Sequence, residues 1–331
     1  MLIDFKRLNK IYKIRVGIMK RKVIQIADST QLVSLPRKWA LQHGVKKGDE
    51  IEVVAEGNKI IISTEKGEEL GSVEVDITDL DGNSLMFLIR CLYYRGYNEI
   101  RVIFNKPTTM HYRIGKEVTV ISLIHKEVNK LNGIEIIQQK ENFCLIKDIS
   151  EGTIKEFDDV LRRIFLLLQD ASKDLLGGIK SGDMVLLNTI NEKYNTITKF
   201  VAYNLRLLNK FGYPDSKKTN SYYNTISAIN EVIGVIRYSS RYVQSKKIKI
   251  SKETISLLSS IHSTLELYID FFYKFDFKKA DEISRKRAEI LEKIKKITKK
   301  LPSKEILILT SMGHILAIMT DLIITRMALE Y

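Results

Sequence analysis

The spacing of hydrophobic and polar positions changes twice along the chain. From Met19 to Thr64 apolar residues come in short runs separated by turn residues, the pattern of β-strands. Met19 opens a strand-like segment through Lys20, Arg21, Lys22, Val23 and Ile24. Residues 23–26 and 32–35 predict strands around an Asp28-Ser29-Thr30 turn. Pro36 cannot extend a central strand but suits a first helical turn, so residues 36–43 predict a short helix that Gly44 stops. Lys46-Lys47-Gly48-Asp49 predicts a turn, and residues 50–54 and 59–63 a hairpin through Glu56-Gly57-Asn58.

Beyond Gly67 and Gly71, residues 72–77 alternate as a strand, Asn83 predicts the cap of a helix running to Arg95, Gly96 its stop, and 99–104 the next strand. A second helix over about 117–131, stopped near Gly133, and a hairpin of 134–139 with 143–147 give the order βαβαββ, a small α/β sandwich. From residue 151 the period becomes helical. Thr153 and Glu156 predict a capping box before a helix carrying Leu161, Ile164, Phe165, Leu168 and Leu175, which Gly177-Gly178 ends. Apolar residues then recur from Ile190 to Leu208, and a Gly212-Tyr213-Pro214 break precedes the run from Tyr222 to Ile236. Ser251 predicts the cap of a fourth helix (Leu257 to Phe272). A fifth carries Ile283, Ile290, Ile294 and Ile297, and a sixth follows Leu301-Pro302-Ser303 to Ala328. Six antiparallel helices divide as three plus three. The expected fold is multidomain α+β: an extension at 1–18, a β-rich domain at 19–64, an α/β connecting domain at 65–150 and a helical domain at 151–331.

The 45 or so residues of the first domain carry apolar positions (Ile24, Ile26, Leu35, Trp39, Val45, Ile51, Val53, Ile60, Ile62) but are too few to close a core, and they hold no disulfide or metal set. Oligomerisation is the expected remedy. Trp39 reads as a core anchor, with base stacking as the other reading.

Composition sharpens this picture. The chain has 331 residues, 44% hydrophobic and 28% charged, as in a folded protein, and a net charge of +14 that favours a polyanionic partner. Residues 1–64 carry 13 Lys and Arg against 6 Asp and Glu, residues 65–150 carry 11 against 13, and residues 151–331 carry 30 against 21. The excess is thus densest in the first domain, while the basic runs near 246–249, 285–287 and 295–300 read as solvated faces. Cys91 and Cys144 are the only cysteines, which excludes a disulfide scaffold or cysteine-rich zinc module. Lys6, Arg7, Lys10, Lys13 and Arg15 break any signal-peptide run, so cytoplasmic residence is expected. The uncharged stretch 306–320 is too short for a membrane span and reads as a buried helix. No nucleophile, base and orienting group cluster in a motif, so no enzymatic activity and no catalytic residue is expected.

Ser34-Leu35-Pro36-Arg37-Lys38-Trp39-Ala40, followed by His43-Gly44-Val45-Lys46-Lys47-Gly48-Asp49-Glu50-Ile51, resembles the AbrB family (SpoVT-AbrB) of the archaeal type. The resemblance implies a swapped-hairpin dimeric β-barrel that binds DNA, chiefly in transcription regulators and in some antitoxins. It places Lys20, Arg21 and Lys22 at the basic start of the first strand that faces DNA. Bacterial members carry paired arginines late on the short helix, where this chain has Ala40 and Leu41. Arg37 and Lys38, at the helix start, are the nearest substitutes, and Lys46 and Lys47 are further candidates beside a reading as a solvated turn.

Residues 84–96 with Ile100-Arg101, and Leu131-Asn132-Gly133-Ile134-Glu135-Ile136, resemble the connecting region of archaeal proteins that fuse such a domain to a PhoU-like one. The six-helix pattern is similar to the PhoU family, whose two three-helix halves repeat and which regulates phosphate uptake. Members carry acidic pairs that hold an iron or zinc cluster. The matching positions here are Asn191 with Asn195 and Asn230 with Gly234, so no cofactor or metal is expected. His262 and His314 are lone histidines on apolar helices and read as core residues or, alternatively, ligands. Together the resemblances imply a homodimeric DNA-binding transcriptional regulator of phosphate uptake or homeostasis, whose helical domain senses a signal or a partner. The alternative is an adaptor controlling a phosphate transporter or sensor kinase by protein contacts, with the first domain only dimerising.

Overall fold

The computed structural model describes residues 20–26, 30–56, 59–64, 71–150, 152–246 and 248–331. The 1–18 extension, Asp28-Ser29 of the first turn, Gly57-Asn58 of the hairpin turn and the Gly67 break lie outside the described residues. The chain divides into two compact units, Met1–Lys66 and Gly67–Tyr331.

Unit 1 is built from β1 (Ile24–Ile26), β2 (Thr30–Leu32), α1 (Arg37–Gln42), β3 (Glu52–Glu56) and β4 (Lys59–Ser63). β1 pairs antiparallel with β2, placing Ile24 opposite Leu32, and β3 pairs with β4, placing Glu56 opposite Lys59. Three expectations need correction. Lys20–Val23 is irregular and only leads into β1. The second strand runs only from Thr30 to Leu32, and residues 33–36 lead without regular pairing into α1. The third strand begins at Glu52, since residues 46–49 close a turn in which the Lys46 N–H donates to Asp49 Oδ2 at 2.8 Å. Gly44 (φ 65°), before that turn, and Gly48 (φ 96°), within it, take the left-handed conformation.

Unit 2 begins with the α/β layer. β5 (Ser72–Asp76), α2 (Gly82–Arg95), β6 (Glu99–Ile103), β7 (Thr108–His111), β8 (Lys116–Thr119), α3 (Val120–Val128), β9 (Ile134–Gln139) and β10 (Phe143–Asp148) follow in order. The main sheet runs β5-β6-β10-β9, with β5 parallel to β6 and the other pairs antiparallel. Ile100, Val102, Cys144 and Ile146 point to one face and close a core with Leu85, Ile89, Tyr93 and Ile124 from the helices. Asp81, rather than Asn83, caps α2: its carboxylate accepts from the Asn83 N–H at 2.8 Å and the Ser84 hydroxyl at 2.5 Å. The helix expected from residue 117 starts only at Val120, because 116–119 pairs with 108–111 in an extra hairpin. That hairpin is inserted into the expected βαβαββ order.

The remainder is a bundle of α4 (Phe157–Ser181), α5 (Met184–Phe211), α6 (Thr219–Lys246), α7 (Lys252–Tyr273), α8 (Phe277–Ile297) and α9 (Ser303–Glu330). α4 to α6 pack together, α7 to α9 pack together, and contacts of α6 with α9 and of α4 with α7 join the halves. Gly177-Gly178 does not stop α4, which continues to a left-handed Gly182 (φ 72°). Gly178 instead admits α5: a Cβ there would stand 2.7 Å from Leu187 Cγ. α9 is long and apolar enough to cross a membrane, with mean hydropathy 1.9, yet 56% of that window is buried against neighbouring helices.

Buried charge ties the α/β layer to the bundle. Arg206 of α5 is 3% exposed and donates to the Tyr93 carbonyl at 2.7 Å, the Tyr97 carbonyl at 3.0 Å and Asp148 Oδ2 at 2.7 Å. Lys210 reaches the same Asp148 oxygen at 3.2 Å, and Ala202 joins the α/β core.

Candidate nucleic-acid interface

The cations singled out in unit 1 fall into three groups along the chain. Lys20, Arg21 and Lys22 are exposed on the segment leading into β1, Arg37 and Lys38 on the first turn of α1, and Lys46 and Lys47 on the turn after it. Lys20, Lys22, Arg37, Lys38, Lys46 and Lys47 form no ion pair with a described residue, so the field of these charges is left for an outside anion. The structure gives two of the three groups a defined local frame. Arg37 and Lys38 follow Pro36, whose extended backbone (φ −62°, ψ 119°) opens the helix without a side-chain cap. Lys46 and Lys47 sit in the turn closed by Asp49.

The apolar side chains of the unit are as informative as its charges. Among the residues of 20–64 whose side chains are described, none is fully buried. Val23, Ile24, Ile26, Leu32, Val33, Leu41, Val53 and Ile60 are exposed, Ile60 and Leu41 by 70% and 71%. Trp39 is half-buried, its ring 5.1 Å from that of His43; Leu35, Val45, Ile51 and Ile62 are half-buried too. So many exposed large apolar side chains in one small unit mark an interaction surface. Val23, Leu32, Val33 and Leu41 lie outside the apolar positions singled out from the sequence.

Unit 2 holds the positions that the helical resemblance compares with metal ligands. Asn191 is half-buried, and its Oδ1 accepts from Arg237 Nε at 3.3 Å and Arg241 Nε at 2.8 Å. Asn195 is exposed, while Asn230 and Gly234 are half-buried. Two guanidinium groups on Asn191 repel a cation, so these residues do not fit a metal ion. Among the described residues no three His, Cys, Asp or Glu side chains gather as metal ligands do. His262 shares a 2.9 Å hydrogen bond between its Nδ1 and Ser172 Oγ, and its Nε2 lies 3.5 Å from Glu266. Burial lowers its pKa and Glu266 opposes that shift; the arrangement is a polar link between α4 and α7. His314 is exposed and so is no core residue; it points away from the packed faces of α9 and lines an open groove of about 630 Å³ with Glu231, Gly234, Tyr238, Thr310 and Ser311.

Residues 24–70 match the family described as antidote-toxin recognition MazE, bacterial antitoxin. This supports an AbrB-like domain at the N-terminus. No curated protein and no solved structure matches the chain.

Proposed function

We propose that the chain is a homodimeric DNA-binding regulator in which unit 1 pairs with a second copy and grips the duplex. The observation that carries the reading is that unit 1 combines exposed lysines and arginines with a set of large apolar side chains open to solvent. Pairing two copies would cover the apolar set and double the charge. Lys20, Arg21, Lys22, Arg37, Lys38, Lys46 and Lys47 are the proposed phosphate contacts, so affinity is salt-dependent and base readout modest. The match of residues 24–70 is consistent with DNA-binding or antitoxin-type regulation.

Phosphate uptake or homeostasis is the proposed subject of regulation, the bundle receiving the signal in the cytoplasm; this rests on the resemblance of residues 65–331 alone. Mapping bound genomic sites at high and low phosphate tests it, and absence of enrichment at phosphate transport genes removes this part of the reading. The DNA-binding claim is tested separately, by comparing the full chain with a truncation that begins at Gly67. Loss of duplex binding in the truncation supports the proposal; retained binding refutes it and moves the interface to unit 2. An adaptor role through protein contacts of the bundle is the rival that an inactive full chain would favour.

A further inference from the structure

The joint between α5 and α6 gathers positive charge that the DNA-binding reading does not use. Arg237 and Arg241 stand one turn apart on α6, and both donate through Nε to the single Oδ1 of Asn191. Two guanidinium groups thus converge on one neutral acceptor. Neither forms an ion pair with a described residue. The Tyr194 ring lies 4.1 Å from Arg237 Cζ and steadies the guanidinium plane. Burial lowers the Arg237 pKa, and the charge of Arg241 and that of Arg113, on the β7–β8 turn, lower it further, against the opposing effect of Tyr194.

Like charges one turn apart on a helix repel each other. A neutral amide oxygen does not cancel that repulsion, whereas an anion between the two groups does. Nη nitrogens are the donors that fork onto oxyanions, and one carboxylate is satisfied by one such fork. Two guanidinium groups held at one amide oxygen suit a group with three or more acceptor oxygens. We infer that Arg237, Arg241 and Asn191 form a binding site for a phosphate group, as the free ion or as a monoester on a small metabolite. The site belongs to unit 2 and stands whether or not unit 1 binds DNA.

Equilibrium dialysis of the full chain against inorganic phosphate and, separately, against glycerol 3-phosphate, with ionic strength held by chloride, tests the site. Saturable binding of at least one is expected. Asn191→Asp places a carboxylate between the two guanidiniums. It should weaken binding by about tenfold or more, as loss of charge-assisted hydrogen bonds does, without lowering the unfolding temperature. The double variant R237Q/R241Q should lose binding as well. Tighter binding of glycerol 3-phosphate assigns the site to a phosphorylated metabolite; equal or tighter binding of inorganic phosphate assigns it to the free ion. No saturable binding of either probe, or an N191D chain that binds as the unchanged one does, overturns the inference.

Discussion

Replacing Arg206 by alanine should loosen the α/β layer from the bundle more than any exposed substitution can. The guanidinium is buried and satisfies three acceptors at once: the Tyr93 and Tyr97 carbonyls and Asp148. Its removal leaves the Tyr97 carbonyl without its donor, the Tyr93 carbonyl with the Gly96 N–H alone, and a buried carboxylate held only by Lys210 at 3.2 Å and Ser150 at 2.9 Å. Breaking a buried ion pair from one side costs about 3–5 kcal/mol, and we expect that loss in unit 2. Burial alone would raise the Asp148 pKa; the hydrogen bond and charge of Arg206, with Ser150, overcome that and hold it below its ordinary value of 3.8. A depressed folded-state pKa contributes stability that is present above the unfolded value and disappears as pH falls through the folded one. The unchanged chain should therefore lose this contribution in acid below about pH 4, and R206A should lack that part of the acid limb. Denaturant unfolding followed by helical circular dichroism reports unit 2, while fluorescence of the one tryptophan, Trp39, reports unit 1. A loss below about 1 kcal/mol, the range of a surface ion pair, would refute the reading of Arg206 as the tie between the two layers.

Three further outcomes follow from named contacts. Gly178→Ala should destabilise unit 2 by about 1–3 kcal/mol despite alanine's better helix propensity, because its Cβ would meet Leu187; equilibrium unfolding checks it. Ser251 caps α7 through the Thr254 N–H and donates to the buried Glu305 at 2.5 Å, so Ser251→Ala should cost about 2 kcal/mol. Burial would raise the Glu305 pKa, but the Ser251 and Thr254 hydrogen bonds hold it low; the S251A loss should accordingly shrink in acid as Glu305 protonates, which a pH series of melting curves measures. Ile60→Asp should break the proposed dimer: losing about 1.5–3 kcal/mol of buried side chain per copy raises the dimer dissociation constant by at least about a hundredfold in analytical ultracentrifugation. An unchanged dimer would show that Ile60 is not on the pairing face.

Much of this architecture is legible where period and punctuation agree. The helices from 157 to 330 follow from apolar residues at three- and four-residue spacing, and Gly96 and Gly212 end their helices as read. The misreadings come where a residue's usual local role yields to tertiary contact. Gly177-Gly178 looks like a helix stop, yet Gly178 serves close packing against Leu187. Asn83 has good capping chemistry, but Asp81 takes the cap two residues earlier. The 116–119 segment has apolar spacing shared by a strand and a first helical turn, and only its pairing with 108–111 decides between them. For the candidate interface, the exposed cations are readable from charge density, since solvent exposure is the default for lysine and arginine. Arg206, Arg237 and Arg241 are not, because each owes its role to partners far away in sequence, such as Tyr93, Asp148 and Asn191.

The central claim is that unit 1 binds duplex DNA through exposed lysines and arginines. Titrating the full chain into a labelled duplex by fluorescence anisotropy over a series of salt concentrations tests it most directly. The account predicts that log affinity falls linearly with log salt, with a slope of about −0.9 for each phosphate neutralised, and that charge-removing substitutions at Arg37 and Lys38, each taking one contact from both copies of the dimer, make the slope shallower by roughly 2 each. Absence of binding even at low salt, or a slope that those substitutions leave unchanged, would contradict it.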